Sequence, residues 1–123
     1  MSEKKLTQIF LLHSVKFVCE ALREHAKQRD VSLYVIDDPT NFSFFLEDMA
    51  PEVVIAHSTD LEGQIEDFIK QFEGHDNILK ILWAEEGNDP TKVLFDDMIV
   101  GEISPGHFVE QLESMLESYR KKQ

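Results

Sequence analysis

The chain has 123 residues, enough for one domain with a sizeable core, and 24 acidic against 12 basic residues give it a net charge of −12. That field repels nucleic acid and anionic membrane surfaces and favours a protein partner with a basic surface. A single cysteine, Cys19, rules out an intrachain disulfide. No apolar run approaches the ~20 residues of a membrane span, so the expectation is a cytoplasmic domain without membrane insertion.

The first seven residues read as a polar lead-in. Ile9–Leu12 is a continuous apolar run, the pattern of a strand buried on both faces. His13 and Ser14 close it, with Ser14 placed to N-cap the next helix. Val15, Val18, Cys19, Leu22 and Ala26 then recur at helical spacing. A second strand follows over Ser32–Ile36. Asp37-Asp38-Pro39-Thr40-Asn41 is dense in turn formers. A short helix over about Phe42–Met49 turns Phe42, Phe45, Leu46 and Met49 inward and leaves Phe44 off the stripe. Pro51 stops it, because the residue before a proline is driven out of the helical region.

Val53–Ala56 is the third strand and ends at His57. Thr59–Glu62 matches a capping box for a helix whose apolar stripe is Leu61, Ile65, Phe68, Ile69 and Phe72. Gly74 is placed to break that helix. The fourth strand spans Ile78–Trp83. The loop after it leaves only Lys92–Phe95 before the fifth strand, Asp97–Val100, room for about one helical turn. Ser104-Pro105 opens the last helix, with Ser as N-cap and Pro at the first helical position. Its stripe is Phe108, Val109, Leu112, Met115, Leu116 and Tyr119, and 121–123 is its frayed end. Apolar strands alternating with amphipathic helices imply one α/β domain over 1–123, a parallel sheet covered on both faces.

Two segments carry a resemblance. Asp96-Asp97-Met98-Ile99-Val100-Gly101-Glu102-Ile103-Ser104-Pro105 is similar to the passage through the fifth strand into the last helix of response-regulator receiver domains. Pro51–His57 is similar to the segment of that family that ends in its phosphoryl-accepting aspartate. The resemblance implies a flavodoxin-like, doubly wound five-stranded sheet of order 2-1-3-4-5, with the fourth helix short or absent. The family's chemistry uses two acidic residues for Mg²⁺, the acceptor aspartate, a hydroxyl residue and a lysine. By position these become His13 and Ser14, His57, Trp83 and Gly101. The family's proline after the lysine becomes Glu102, and its switch aromatic becomes Met98. Mg²⁺ demands hard oxygen ligands in near-octahedral array, which imidazoles cannot supply. The resemblance therefore implies a pseudo-receiver without enzymatic activity and without a cofactor.

The expected role is phosphorylation-independent binding of another protein. The face implied by the resemblance includes Phe95, Met98, Val100, His107, Glu110 and Gln111, and a homodimer through it is a second expectation. The alternative is a sensory module at the strand ends, where His13 and His57 would bind a metal ion or small ligand, with Asp37, Asp38 or Glu85 approaching, or would respond to pH. Trp83 either anchors a partner or fills the emptied pocket.

Overall fold

The computed structural model describes residues 6–122. Its elements are β1 (Gln8–Leu12), α1 (Lys16–Gln28), β2 (Ser32–Ile36), α2 (Phe42–Asp48), β3 (Val53–His57), α3 (Ile65–Lys70), β4 (Leu79–Ala84), β5 (Asp97–Val100) and α4 (Phe108–Lys121). All five strands pair in parallel, in the order β2-β1-β3-β4-β5. This is the doubly wound sheet that the sequence implies. Short 3-10 turns at Pro39–Asn41, Ser58–Leu61, Pro90–Leu94 and Pro105–His107 complete the connections.

The three central strands, β1, β3 and β4, are largely buried on both sides, and alternate residues serve two separate cores. Ile9, Leu11, Val53, Ile55, Leu79, Ile81, Trp83 and Ile99 face one side, where Cys19, Leu22 and Ala26 of α1 meet Phe108, Val109, Leu112 and Leu116 of α4. Phe10, Leu12, Val54, Ala56, Leu82 and Ala84 face the other, against Phe42 and Leu46 of α2, Phe68 of α3, and Phe72. Phe68 is the hub of that second core. Its ring lies 4.9 Å from Phe42, 5.1 Å from Phe72 and 6.4 Å from Phe95.

Several local expectations change. The lead-in is shorter than seven residues: Leu6 is buried in the first core, and Thr7 is held through its N–H and hydroxyl, which donate to the Glu52 carboxylate at 2.9 and 2.7 Å. Residues 1–5 and 123 lie outside the described residues. Ser14 does not cap α1. Val15 occupies the cap position, its N–H donating to His13 Nδ1 at 3.0 Å, while the Ser14 N–H turns to Asp60. The capping box at Thr59–Glu62 does not form, because Glu62 is extended and Gly63, at φ +78°, reverses the chain before α3 begins. Pro105 does open a helical turn, but Ser104 makes no side-chain cap and α4 starts at Phe108.

The fourth connection is as short in helix as expected. Between β4 and β5 there is no α-helix, only the five-residue 3-10 turn Pro90–Leu94, capped by the Asp89 carboxylate accepting from the Thr91 N–H at 2.9 Å. Glu110 belongs elsewhere than on the proposed partner face: it lies against α1, paired with Arg29 and 3.7 Å from His25 Nε2.

Candidate functional site

Parallel register places the strand-end residues beside one another. His57 and Trp83 are direct Cα partners across β3 and β4, and β1 reaches the same level one step after the Leu12–Ala56 pair, at His13. All three follow residues of the α1/α4 side by the two-residue alternation, so their rings meet on one face. The centroids stand 4.3 Å apart for His13–His57, 4.8 Å for His13–Trp83 and 5.3 Å for His57–Trp83. His13 and Trp83 are each only 5% exposed.

Polar atoms in the cluster are mostly spoken for. Trp83 Nε1 donates to the Gly101 carbonyl at 2.6 Å, and the Gly101 N–H donates to the Ala84 carbonyl at 2.9 Å. Gly101 sits at φ +80°, a conformation that favours glycine. His13 Nδ1, by accepting from Val15, must be unprotonated, so the neutral ring carries its proton on Nε2. Burial pushes the His13 pKa below its ordinary 6.5, His57 adds to that, and Asp60 opposes it. Asp60 Oδ2 accepts from the Ser14 N–H at 3.2 Å and lies 3.4 Å from His57 Nδ1. Behind the cluster, the Cys19 thiol points at the His13 carbonyl at 3.6 Å, and burial raises its pKa.

The structure thus gathers His13, His57, Trp83 and Gly101, and it brings the Ser14 backbone to Asp60. The carboxylate beside the imidazoles is Asp60, which the sequence reading did not single out. Its position three residues after His57, on the turn that follows β3, is the signal by which it could have been found. Asp38 is occupied instead with its own turn, accepting from the Thr40 N–H and hydroxyl at 2.9 and 2.7 Å, and those bonds lower its pKa. Trp83 fills space in the core and presents no anchor to solvent.

These residues do not fit Mg²⁺. The ion needs oxygen ligands around an open centre, whereas here two imidazoles and an indole pack ring against ring, and the Asp60 carboxylate is turned to Ser14 and His57. Nor, among the described residues, do three or more His, Cys, Asp or Glu side chains gather in a way that holds a metal ion.

Of the residues expected to form a partner face, Val100 and His107 are exposed, Gln111 is exposed on α4, and Met98 is half-buried. Phe95 is not available: it is buried, stacked at 28° on Phe68. Val93 and Leu94, which the sequence reading passed over, are exposed just ahead of it. Among the described residues no helix is long and apolar enough to cross a membrane.

No protein-family model matches the sequence, and no curated protein sequence does. Solved structures do match. An orphan response regulator of H. pylori superposes with a TM-score of 0.74 at 13% identity, covering 89% of this chain and 96% of that one. A CheY-like receiver domain from Methylobacillus flagellatus gives 0.72 at 15% identity, covering 93% and 98%. An atypical orphan response regulator with a phosphorylation-independent regulatory mechanism gives 0.72 at 12% identity, covering 90% and 96%. The chain therefore has the fold of response-regulator receiver domains. Within that fold His13, His57 and Trp83 form a packed ring cluster at the strand ends.

Proposed function

We propose that this domain is a pseudo-receiver, a phosphorylation-independent protein-interaction module without enzymatic activity. The observation that carries the reading is the ring cluster at the strand ends. His13, His57 and Trp83 pack within 4.3 to 5.3 Å of one another, and the Trp83 N–H is tied to the start of the β5–α4 connection. Such a site offers no acceptor carboxylate on β3 and no room for a hydrated cation. The scaffold is kept while its chemistry is replaced, so the surface is what is left to act. Likeness to an orphan regulator with a phosphorylation-independent mechanism supports the same direction. The partner face runs along the β4–β5 connection, β5 and the outer side of α4, through Val93, Leu94, Met98, Val100, His107 and Gln111.

Incubation with acetyl phosphate and Mg²⁺ tests the first half. Intact-mass spectrometry should show an unmodified chain, and a phosphoryl adduct would overturn the reading. For the second half, immobilised wild type is compared with Val100→Glu and Gln111→Arg in affinity capture from cytoplasm. A specific partner should be lost from both variants and held equally with or without acetyl phosphate. Capture unchanged by both variants would place the interaction elsewhere.

A further inference from the structure

The β4–β5 connection leaves an apolar strip on the α2/α3 side of the sheet. Gly87, near its start, lies against Val100: a Cβ built on Gly87 would stand 3.9 Å from Val100 Cγ2. Phe95, at its end, is stacked on Phe68 in the second core. The segment between them crosses that face as a single 3-10 turn and leaves Val93 79% exposed and Val100 46% exposed. Leu94 is also exposed, and Met98, packed at the margin of the second core, is half-buried.

The charge around the strip chooses its occupant. Between Ala84 and Ile103 the chain carries Glu85, Glu86, Asp89, Asp96, Asp97 and Glu102 against one basic residue, Lys92, although Asp97 alternates with Ile99 onto the α1/α4 side, beside Met115 and Tyr119, and does not border the strip. Of the six acids, Asp96 is neutralised by Lys80 at 3.1 Å. A second copy of the chain laid on this strip would set acid against acid. We infer that the strip is the seat of a basic amphipathic helix from another protein, which packs its apolar face on Val93, Leu94, Met98 and Val100 and its lysines or arginines against Glu85 and Glu86. The incoming helix takes the place of the helix missing from the fourth connection, and apolar burial supplies the affinity while charge selects the partner.

Partner chemistry of this kind presupposes the interaction role. A phosphoryl adduct in the mass assay removes that role, whereas the following experiment removes only the partner chemistry. The probe is a fluorescently labelled peptide of leucine and lysine with leucines at i, i+3, i+4 and i+7. Its controls are the same peptide with glutamate for lysine, and a scrambled leucine–lysine peptide of equal charge with no apolar face. Each is titrated by anisotropy into the full chain, and the contact surface is mapped by amide NMR. The patterned basic peptide should bind, weaken with salt, and shift the amides of Gly87, Val93, Leu94, Met98 and Val100. In Val93→Ser/Leu94→Ser, which keeps every charge, its affinity should fall at least about tenfold, as expected for two lost apolar side chains. Equal binding of the scrambled peptide, equal binding of the glutamate peptide, or unchanged affinity in the double variant would overturn the assignment. So would self-association in sedimentation that Val100→Glu abolishes, which would make a second copy the occupant.

Discussion

The two faces of the sheet are built differently. One carries two long helices, α1 of 13 residues and α4 of 14, whose buried stripes meet over the sheet. The other carries α2 of seven residues, α3 of six, and a 3-10 turn where a third helix would stand. Helices that short have little stability of their own. They stay in place because Phe42, Phe68, Phe72 and Phe95 interlock beneath them. Both faces leave apolar side chains in solvent, Phe17 of α1 on the first and Val93, Leu94 and Val100 on the second, but only the first roofs the ring cluster that fills the strand ends. Long, continuous helical cover lies on one side of the sheet, and short, interrupted cover on the other.

The hardest test of this contrast is the hub of the second core. Phe68→Ala should lower unfolding stability by about 3–5 kcal/mol in urea titration, because a ring at 1% exposure leaves a cavity its neighbours cannot close. Hydrogen exchange should show α2 and α3 losing protection first, with α1 and α4 still protected. Simultaneous loss on both faces would mean that they form one cooperative unit and that the contrast is only geometric.

Gly101→Ala probes the closed end of the first face. Nothing lies within 4 Å of a Cβ built there, so the cost is conformational, set by φ +80° and worth about 1–2 kcal/mol. Because the Gly101 carbonyl receives the Trp83 N–H, the sole tryptophan should report the change as a shifted emission maximum. An unchanged emission would show that the indole is held by packing without help from that bond.

A smaller effect is expected with pH. In the folded chain the His13 pKa is lowered, by burial first and by His57 second, with Asp60 opposing. Below its ordinary 6.5 the unfolded chain takes up a proton that the folded chain refuses. The stability due to neutral His13 is therefore complete above 6.5, declines as the pH falls from there to the folded pKa, and levels off below it. His13→Asn retains an acceptor for the Val15 N–H but no titrating ring, and it should flatten urea midpoints over the window just below 6.5. A slope that survives the substitution would assign it to another group.

Much of this was legible in the chain itself, and what was not has a common cause. The central strands, buried on both faces, announce themselves as apolar runs and are read to within one residue, and the edge strands Ser32–Ile36 and Asp97–Val100 are read to the residue. The replaced chemistry was legible because His13, His57, Trp83 and Gly101 sit at positions that parallel pairing must bring together. The local caps were not, since Ser14 and Thr59 had tertiary competitors: the Asp60 carboxylate captured the Ser14 N–H, and Gly63 bent the chain away from Glu62. Phe95 looked like a surface residue because it follows no periodic stripe, yet Phe68 supplies a ring to stack on. Glu110 fell on the wrong face for the same reason, claimed by His25 and Arg29 across the α1–α4 seam.

The smallest expected effect sharpens the contrast most. Val93→Ser/Leu94→Ser removes two large apolar side chains, a change that within either core would cost several kcal/mol. Val93 is 79% exposed, and Leu94, at 38%, keeps much of its surface in water. Little apolar area is uncovered by their loss, and the 3-10 turn they belong to is held from outside the pair. Asp89 caps its start, and the Phe95 N–H donates to the Lys92 carbonyl at its end. The urea midpoint should therefore move by no more than about 0.5 kcal/mol-equivalent, the range of ordinary surface substitutions. A larger loss would mean that the turn itself packs as part of the second core and that this face is closed after all. Near-neutral stability would leave two valuable apolar side chains with no role in holding the fold, free to be covered by something else.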